Sequence, residues 1–315
     1  MSAPGFLLKP HWVSVIGLAA VLAVVIFCDL PGSGRFIDVL QNSAHAPAFG
    51  LVAVLLIRTR RVGSTAAIHS YALAWVGAVA LGALVEVVQA AIGRDADSLD
   101  VFHDAIGATC ALSLYRVVQA RKATLRAWAP ITLAVLSFAV AIWPLTECAA
   151  AYALRARRFP DLVVLRSRLD FYFVTTDVDA TDRRIATALP WWGYVAHPVT
   201  VELTGTEWPG VRLVGVMKDW SAYRFLTIDV ENPGRKSLPL IVRLDDYLSV
   251  KTDDPYYFEF ELPPHSRQSV SVLLNALPAA KSGRPINVRN MRKFSLFHDG
   301  PSDLRMTLYS VRLTS

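Results

Sequence analysis

The first half of the chain carries its apolar residues in long runs, and the second half alternates them with polar ones in short segments. A helix needs about 20 mostly apolar residues to cross a bilayer. Runs near that length lie at Trp12 to Leu30, Ala44 to Ile57, Ala67 to Ile92, Val101 to Val118 and Trp128 to Ala151. Period-two alternation predicts strands instead. Leu226, Ile228 and Val230 alternate with Thr227 and Asp229. Leu238, Leu240, Val242 and Leu244 alternate with Pro239, Ile241 and Arg243, and Phe258, Phe260 and Leu262 with Glu259 and Glu261. Asn232-Pro233-Gly234, Asp253-Asp254-Pro255 and Pro263-Pro264 supply turn chemistry between them. The expected fold class is an α-helical membrane bundle of about five transmembrane helices, followed by an all-β jelly-roll sandwich. The boundaries read as 1–154 for the membrane part, 155–160 for a charged linker ending in Pro160, and 161–315 for the sandwich.

Composition sharpens this division. Of 315 residues, 53% are hydrophobic and only 18% charged, which disfavours an ordinary soluble protein. The net charge of +6 gathers in short clusters beside apolar runs, which suits membrane topology and gives no nucleic-acid partner. Lys9, then Arg58, Arg60 and Arg61, then Arg116, Arg121, Lys122 and Arg126 mark alternate loops. The loops Asp29 to Ser43 and Gly93 to Leu99 hold only Arg35 and Arg94. The positive-inside rule then puts the N-terminus in the cytoplasm of a bacterial inner membrane. With five spans, the C-terminal domain is extracytoplasmic. Arg155, Arg157 and Arg158 follow span five on the outer side and are expected on a helical extension facing lipid headgroups; if span five does not cross, the sandwich is cytoplasmic. The first run reads as a retained span, because Asp29, Pro31 and Gly32 follow it in place of a small-residue cleavage site. Cys28, Cys110 and Cys148 all lie in the apolar half, so the sandwich owes nothing to disulfides.

The candidate chemistry sits between Glu86 and Gly107. Ionisable groups cost about 2.5–3.5 kcal/mol each at mid-bilayer, so a membrane helix keeps them for a lock or a function. Glu86 and Gln89 share one helix face by i,i+3 spacing, and Asp100 and Asp104 share another by i,i+4. Gly82 with Ala78, and Gly107 with Ala111, continue those faces as ladders of small residues suited to close helix packing. With His45 at the mouth of span two, the polar groups are expected to converge on one outward pocket. Three readings fit. The cluster is a structural lock, with Asp100 serving the helix start after Ser98 and Arg94 neutralising the acids. Or it is a pocket for a polar headgroup. Or it is a metal site of His45, His103, Asp100, Asp104 and Glu86, a reading weakened because His103 points partly away from Asp104. No metal is assigned from the sequence and no cofactor is predicted.

These residues carry a resemblance. The pattern His45-x3-Phe49, then Glu86-x2-Gln89, Arg94, Ser98, Asp100, Asp104 and Gly107, resembles the VanZ-like membrane family over roughly residues 12 to 120. That family often has Asp-Lys just before the His, where Asn42-Ser43-Ala44 stands here, and Asn where Asp104 stands. The resemblance implies a cell-envelope role linked to resistance to glycopeptide antibiotics such as teicoplanin and to related lipopeptides, and supplies no reaction. It makes a membrane lipid or lipid-linked envelope precursor the expected partner. In the second half, Asp219-Trp220-Ser221-x-Tyr223, Leu226 to Asn232, Arg243 to Asp246 and Leu308 to Leu313 resemble galactose-binding-like, carbohydrate-binding-module sandwiches. Many of those carry Asp near a structural calcium where Tyr309 stands. A glycan is therefore a second expected partner, with Trp191, Trp192, Tyr194 and Trp208 as candidate stacking surfaces and Trp220 as core. No G-x-S-x-G, H-E-x-x-H or phosphate-cradling loop is present, so no catalytic motif is assigned. The alternative function is a membrane enzyme acting on a lipid-linked glycan or phospholipid through the Asp/His/Glu cluster.

Overall fold

The computed structural model describes residues 10–28, 30, 34–59, 68–93, 97–119, 128–164, 167–176, 199–204, 208–300 and 303–315. The chain divides into two compact units, Met1–Thr146 and Glu147–Ser315. The first is helical: α1 (Pro10–Phe27), α2 (Arg35–Thr59), α3 (Ile68–Ala91), α4 (Ser98–Gln119) and most of α5 (Trp128–Arg158). By length and composition, α2, α3 and α5 are long and apolar enough to cross a membrane. The apolar stretch of α1, Trp12–Phe27, is shorter, and α4 is not among the three. Asp100, His103, Asp104 and Arg116 lower the mean hydropathy of α4. Three of the five expected spans thus meet the criterion.

Glycines set how closely these helices approach. A Cβ on Gly107 would strike the backbone of Ala46, and one on Gly50 would lie 3.0 Å from the Gly107 carbonyl oxygen and 3.0 Å from the Ala111 Cβ. A Cβ on Gly82 would run into the Asp104 carboxylate. The small-residue ladders therefore bring α2 onto α4 and open a slot on α3 for an acid. Phe49, Val52, Ala53, Ala78 and Ala108 complete the buried interior of this unit.

The second unit is a sandwich of two five-stranded sheets. Its strands are β1 (Asp161–Val163), β2 (Val174–Thr176), β3 (Val199–Thr204), β4 (Gly210–Val214), β5 (Phe225–Asn232), β6 (Leu238–Asp246), β7 (Tyr256–Leu262), β8 (Ser266–Leu273), β9 (Met291–Phe297) and β10 (Asp303–Thr314). A single turn, α6 (Arg168–Phe171), precedes β2. One sheet runs β1-β10-β5-β8 with β3 also on β10; the other runs β2-β4-β9-β6-β7. Every described pairing is antiparallel.

The core follows the alternation. Leu226, Ile228, Val230, Leu238, Leu240, Val242, Leu244 and Leu262 are fully buried, and such side chains contribute about 1.5–3 kcal/mol each. Trp220 is core, and its indole N–H donates to the Met217 carbonyl at 2.6 Å. Thr227 departs from the simple pattern. It is buried, bonded to Thr314 and Ser271 across the sheet, so its hydroxyl is satisfied there. On β10, Met306 and Leu308 point inward, and so do Val311 and Leu313. The odd step between the two pairs is absorbed by an irregularity in the β10–β5 register between Leu308 and Ser310.

The first four residues of the expected 155–160 linker are the last turn of α5. Arg155 is buried and donates from Nη1 to the carbonyls of Val214 (3.0 Å) and Gly215 (2.7 Å), with its guanidinium 4.1 Å above the Phe173 ring. Arg158 pairs with Asp170. These two arginines, expected to face headgroups, are spent on contacts inside the second unit; Arg157 alone of the three is exposed.

Asp246 is the buried polar joint of the sandwich. It accepts from Arg284 Nη1 at 2.7 Å, Arg284 Nη2 at 2.9 Å, Ser249 Oγ at 3.0 Å, and the amides of Leu248 and Asn287. Burial works against its charge, but Arg284, the Asn287 amide and Ser249 outweigh it and hold the carboxyl below the usual range. A depressed folded value adds stability above the unfolded pKa, about 3.9, that is lost as pH falls through the folded one. Asp246→Ala is expected to destabilise the sandwich by about 1–3 kcal/mol, since it takes the carboxylate from Arg284 and leaves the Leu248 and Asn287 amides without their acceptor. Asp246→Asn is expected to flatten the acid limb of the unfolding midpoint, measured by thermal melts of the full chain in detergent.

Candidate functional site

Helices α2, α3 and α4 each deliver part of one polar cluster. His45, from α2, lies with one ring nitrogen on each of two carboxylates. Its Nδ1 is 3.1 Å from Asp104 Oδ1, and its Nε2 is 3.8 Å from Asp100 Oδ2. Phe49, one turn on, stacks against the imidazole with ring centroids 6.1 Å apart. Asp104 is fully buried in the slot left by Gly82. Glu86, from α3, accepts the Asp97 amide through Oε2 at 2.9 Å. Asp97, not Ser98 or Asp100, caps α4: its Oδ1 accepts the Leu99 amide at 2.9 Å. That frees Asp100 to turn inward toward His45.

The remaining expected residues divide. Gln89 is buried but turns to α1, donating from Nε2 to the Val25 carbonyl at 3.2 Å. Ser98 is exposed at the first residue of α4. Arg94 lies outside the described residues, as do Trp191, Trp192 and Tyr194. His103 is nearer than its spacing implied, with Nδ1 3.8 Å from Asp100 Oδ1. Sequence spacing measured it against Asp104, one residue away; Asp100, three residues back on the same face, is the neighbour that counts. Beside the cluster, Ala46, Gly50, Gly107, Leu114, Phe138 and Leu145 help line an apolar groove of about 430 Å³.

A second site lies on the outer face of the sheet β2-β4-β9-β6-β7. Val211, Leu213, Phe294, Leu296 and Val242 turn into the core, so their neighbours turn out. The register sets Arg212 opposite Ser295, Ser295 opposite Arg243, and Arg243 opposite Tyr257. This row floors a cleft of about 410 Å³ that Trp208, Lys281 and Lys293 also line. Four cations border it, Arg212, Arg243, Lys281 and Lys293, against two acids, Glu259 and Asp299. Arg243 is fixed by Asp245, with contacts of 3.0 and 2.7 Å. Trp208 is half exposed and donates from its indole to Asp299 at 3.1 Å. Ser295 is buried with no partner for its hydroxyl. Burial, with Arg243 and Arg212 nearby, pulls the Lys293 ammonium below its ordinary range despite the opposing pull of Asp245.

Of the four aromatics expected to stack on sugar, Trp208 is the one within the described residues, and it borders this cleft. Tyr257, Arg212 and Lys293 were not singled out from the sequence. Strand parity carried the signal most clearly at Arg212, which sits between the core residues Val211 and Leu213; Tyr257 lies between the half-buried Tyr256 and Phe258, and Lys293 follows the exposed Arg292.

No family model matches the chain, and no curated protein matches it. Solved structures similar to it include the family 11 carbohydrate-binding module from Clostridium thermocellum in complex with a β-1,3-1,4-mixed-linked tetrasaccharide. That match has 14% identity, covers 45% of this chain and 82% of that one, and has a TM-score of 0.30. An agarase matches at 15% identity over 45% of this chain and 24% of its own, with a TM-score of 0.34. An exo-β-agarase matches at 13% identity over 37% of this chain and 19% of its own, with a TM-score of 0.31. The chain thus spans a quarter or less of the length of either agarase. Likeness at this level carries no assignment.

The His45–Asp104 contact gives a direct test of the cluster as a lock. His45→Ala leaves a fully buried carboxylate without its partner and is expected to cost about 3–5 kcal/mol. The double variant His45→Ala/Asp104→Ala is expected to lose less than the two single losses summed, with a coupling of about 0.5–3 kcal/mol in a double-mutant cycle on unfolding midpoints.

Proposed function

We propose that this chain is a multi-pass protein of the bacterial inner membrane, of VanZ-like type, whose sandwich binds a glycan bearing anionic groups. The observation that carries the glycan reading is the cleft on the second sheet. It joins aromatic surfaces, Trp208 and Tyr257, to a row of cations and an unpartnered hydroxyl. Sugar rings take apolar contact from aromatic faces, and their carboxylates or phosphates take paired guanidinium donors.

In this reading residues 1–154 form the membrane part and 161–315 an extracytoplasmic domain, with the N-terminus cytoplasmic. The helical cluster then holds the headgroup of a membrane lipid or lipid-linked envelope precursor. The adjoining apolar groove supports that reading, because it offers room for an acyl chain beside polar groups. A link to glycopeptide or lipopeptide resistance follows from the VanZ-like pattern at His45, Glu86, Gln89, Asp100, Asp104 and Gly107.

Two measurements test this. On an array of neutral and acidic glycans, the full chain in nanodiscs is expected to bind acidic ones. Tyr257→Ala and Arg212→Ala are each expected to weaken binding by about tenfold, roughly 1.4 kcal/mol. Affinity is expected to fall as pH rises through the lowered Lys293 value, before exposed lysines titrate, because the cleft then loses a cation. A blank array, or binding unchanged in both variants, overturns the glycan reading. A periplasm-active phosphatase fused after Ser315 is expected to be active, and an inactive fusion overturns the placement of the sandwich.

A further inference from the structure

The helical cluster holds more negative charge than its own contacts answer. Glu86, Asp100 and Asp104 share the space with His45 and His103, and among the described residues no Lys or Arg side chain pairs with any of them. Glu86 and Asp100 are 7% and 6% exposed. Yet Glu86 Oε1 and Asp100 Oδ1 have no hydrogen-bond partner. A lock would be expected to use those atoms. Carboxylates buried in an apolar bundle require a compensating charge, and a cation at the point where they converge supplies it.

We propose that His45, Glu86 and Asp100 bind one divalent transition-metal ion, of which Zn²⁺ is the best match. One ligand atom from each lies within 4.8 Å of the other two. An ion sits about 2.0–2.2 Å from such nitrogen and oxygen ligands, so modest rotations of Glu86 and Asp100 close the site. The second observation is the setting of His45. Asp104 Oδ1 lies 3.1 Å from Nδ1, on the opposite side of the ring from Nε2. When Nδ1 carries the proton, it donates to Asp104 and the Nε2 lone pair faces Asp100, whose Oδ2 is 3.8 Å away. This is the arrangement by which a carboxylate orients a metal-binding imidazole and raises its basicity. Asp104 is thus a positioning residue, held in place by the slot at Gly82. An imidazole with two carboxylates selects a borderline ion such as Zn²⁺ over Mg²⁺, which prefers oxygen ligands and retains its water. Three protein ligands leave a coordination position open, as in zinc sites that bind a further ligand.

The inference goes beyond the glycan reading of the sandwich and is independent of it. It deepens the headgroup reading, but its test reads the ion alone. The full chain, purified in detergent, is stripped with a chelator, titrated with ZnCl₂ in parallel with MgCl₂, and its bound metal counted by elemental analysis. The expected result is one Zn²⁺ per chain more in the native protein than in Glu86→Gln or His45→Ala, with Mg²⁺ not competing. Asp104→Asn, which keeps the shape of the slot, is expected to weaken Zn²⁺ binding about 10–100-fold without abolishing it. Helical circular dichroism and a monodisperse elution profile accompany each variant. If His45→Ala misfolds, the comparison rests on Glu86→Gln and Asp104→Asn, which preserve volume. No uptake by folded native protein, or equal uptake and affinity in folded Glu86→Gln and Asp104→Asn, overturns the proposal. Failure of lipid binding with Zn²⁺ uptake intact overturns only the headgroup reading.

Discussion

The imidazole of His45, with a carboxylate facing each ring nitrogen, is the interaction around which the helical unit is arranged. Buried charges in an apolar bundle need partners close at hand, and the members of this cluster come from three different helices. α2 brings the imidazole, α4 brings both aspartates, and α3 brings Glu86 together with the gap at Gly82 that admits Asp104. The contact works only because α2 lies close to α4, and that closeness depends on Gly107 having no side chain against Ala46. Packing and electrostatics are therefore one constraint in this unit, since filling the glycine slots would separate the charges that need one another.

The sandwich solves a similar problem by other means. Its apolar core follows from strand alternation, and its fully buried carboxylate, Asp246, is where Arg284, Ser249 and two backbone amides converge at the end of β6. A carboxylate so thoroughly bonded fixes the loops after β6 and before β9. The outer face of the same sheet is then free to carry charge without endangering the fold. Arg212, Ser295, Arg243 and Tyr257 fall in line across four strands because antiparallel register puts outward residues side by side.

Much of this was legible in the sequence. Apolar runs located the helices, and the i,i+4 spacing of Asp100 and Asp104 sets both on one face of α4, where each lies near His45. Alternation located β5, β6 and β7 and their inward residues. Other features were not legible. Asp97 caps α4 in place of Ser98 or Asp100, because a cap depends on how the chain enters the helix. Gln89 shares a face with Glu86 yet turns to the Val25 carbonyl of α1, and which neighbour a face meets is not written in its spacing. Arg155 and Arg158 read as membrane-surface charges, but the carbonyls at the end of β4 and the Asp170 carboxylate claim them.

The sequence by itself determined the division into apolar helices and alternating strands, because periodicity reflects which face of an element leaves water. It also determined which ionisable residues lie in apolar surroundings. Only the tertiary structure decided how those residues pair, that Glu86 and Asp100 keep unanswered oxygens, and that four strands line up a cationic cleft. Those outcomes depend on distances of a few ångströms between segments far apart in the chain. Such distances are fixed by glycine contacts and strand register, which no local pattern encodes.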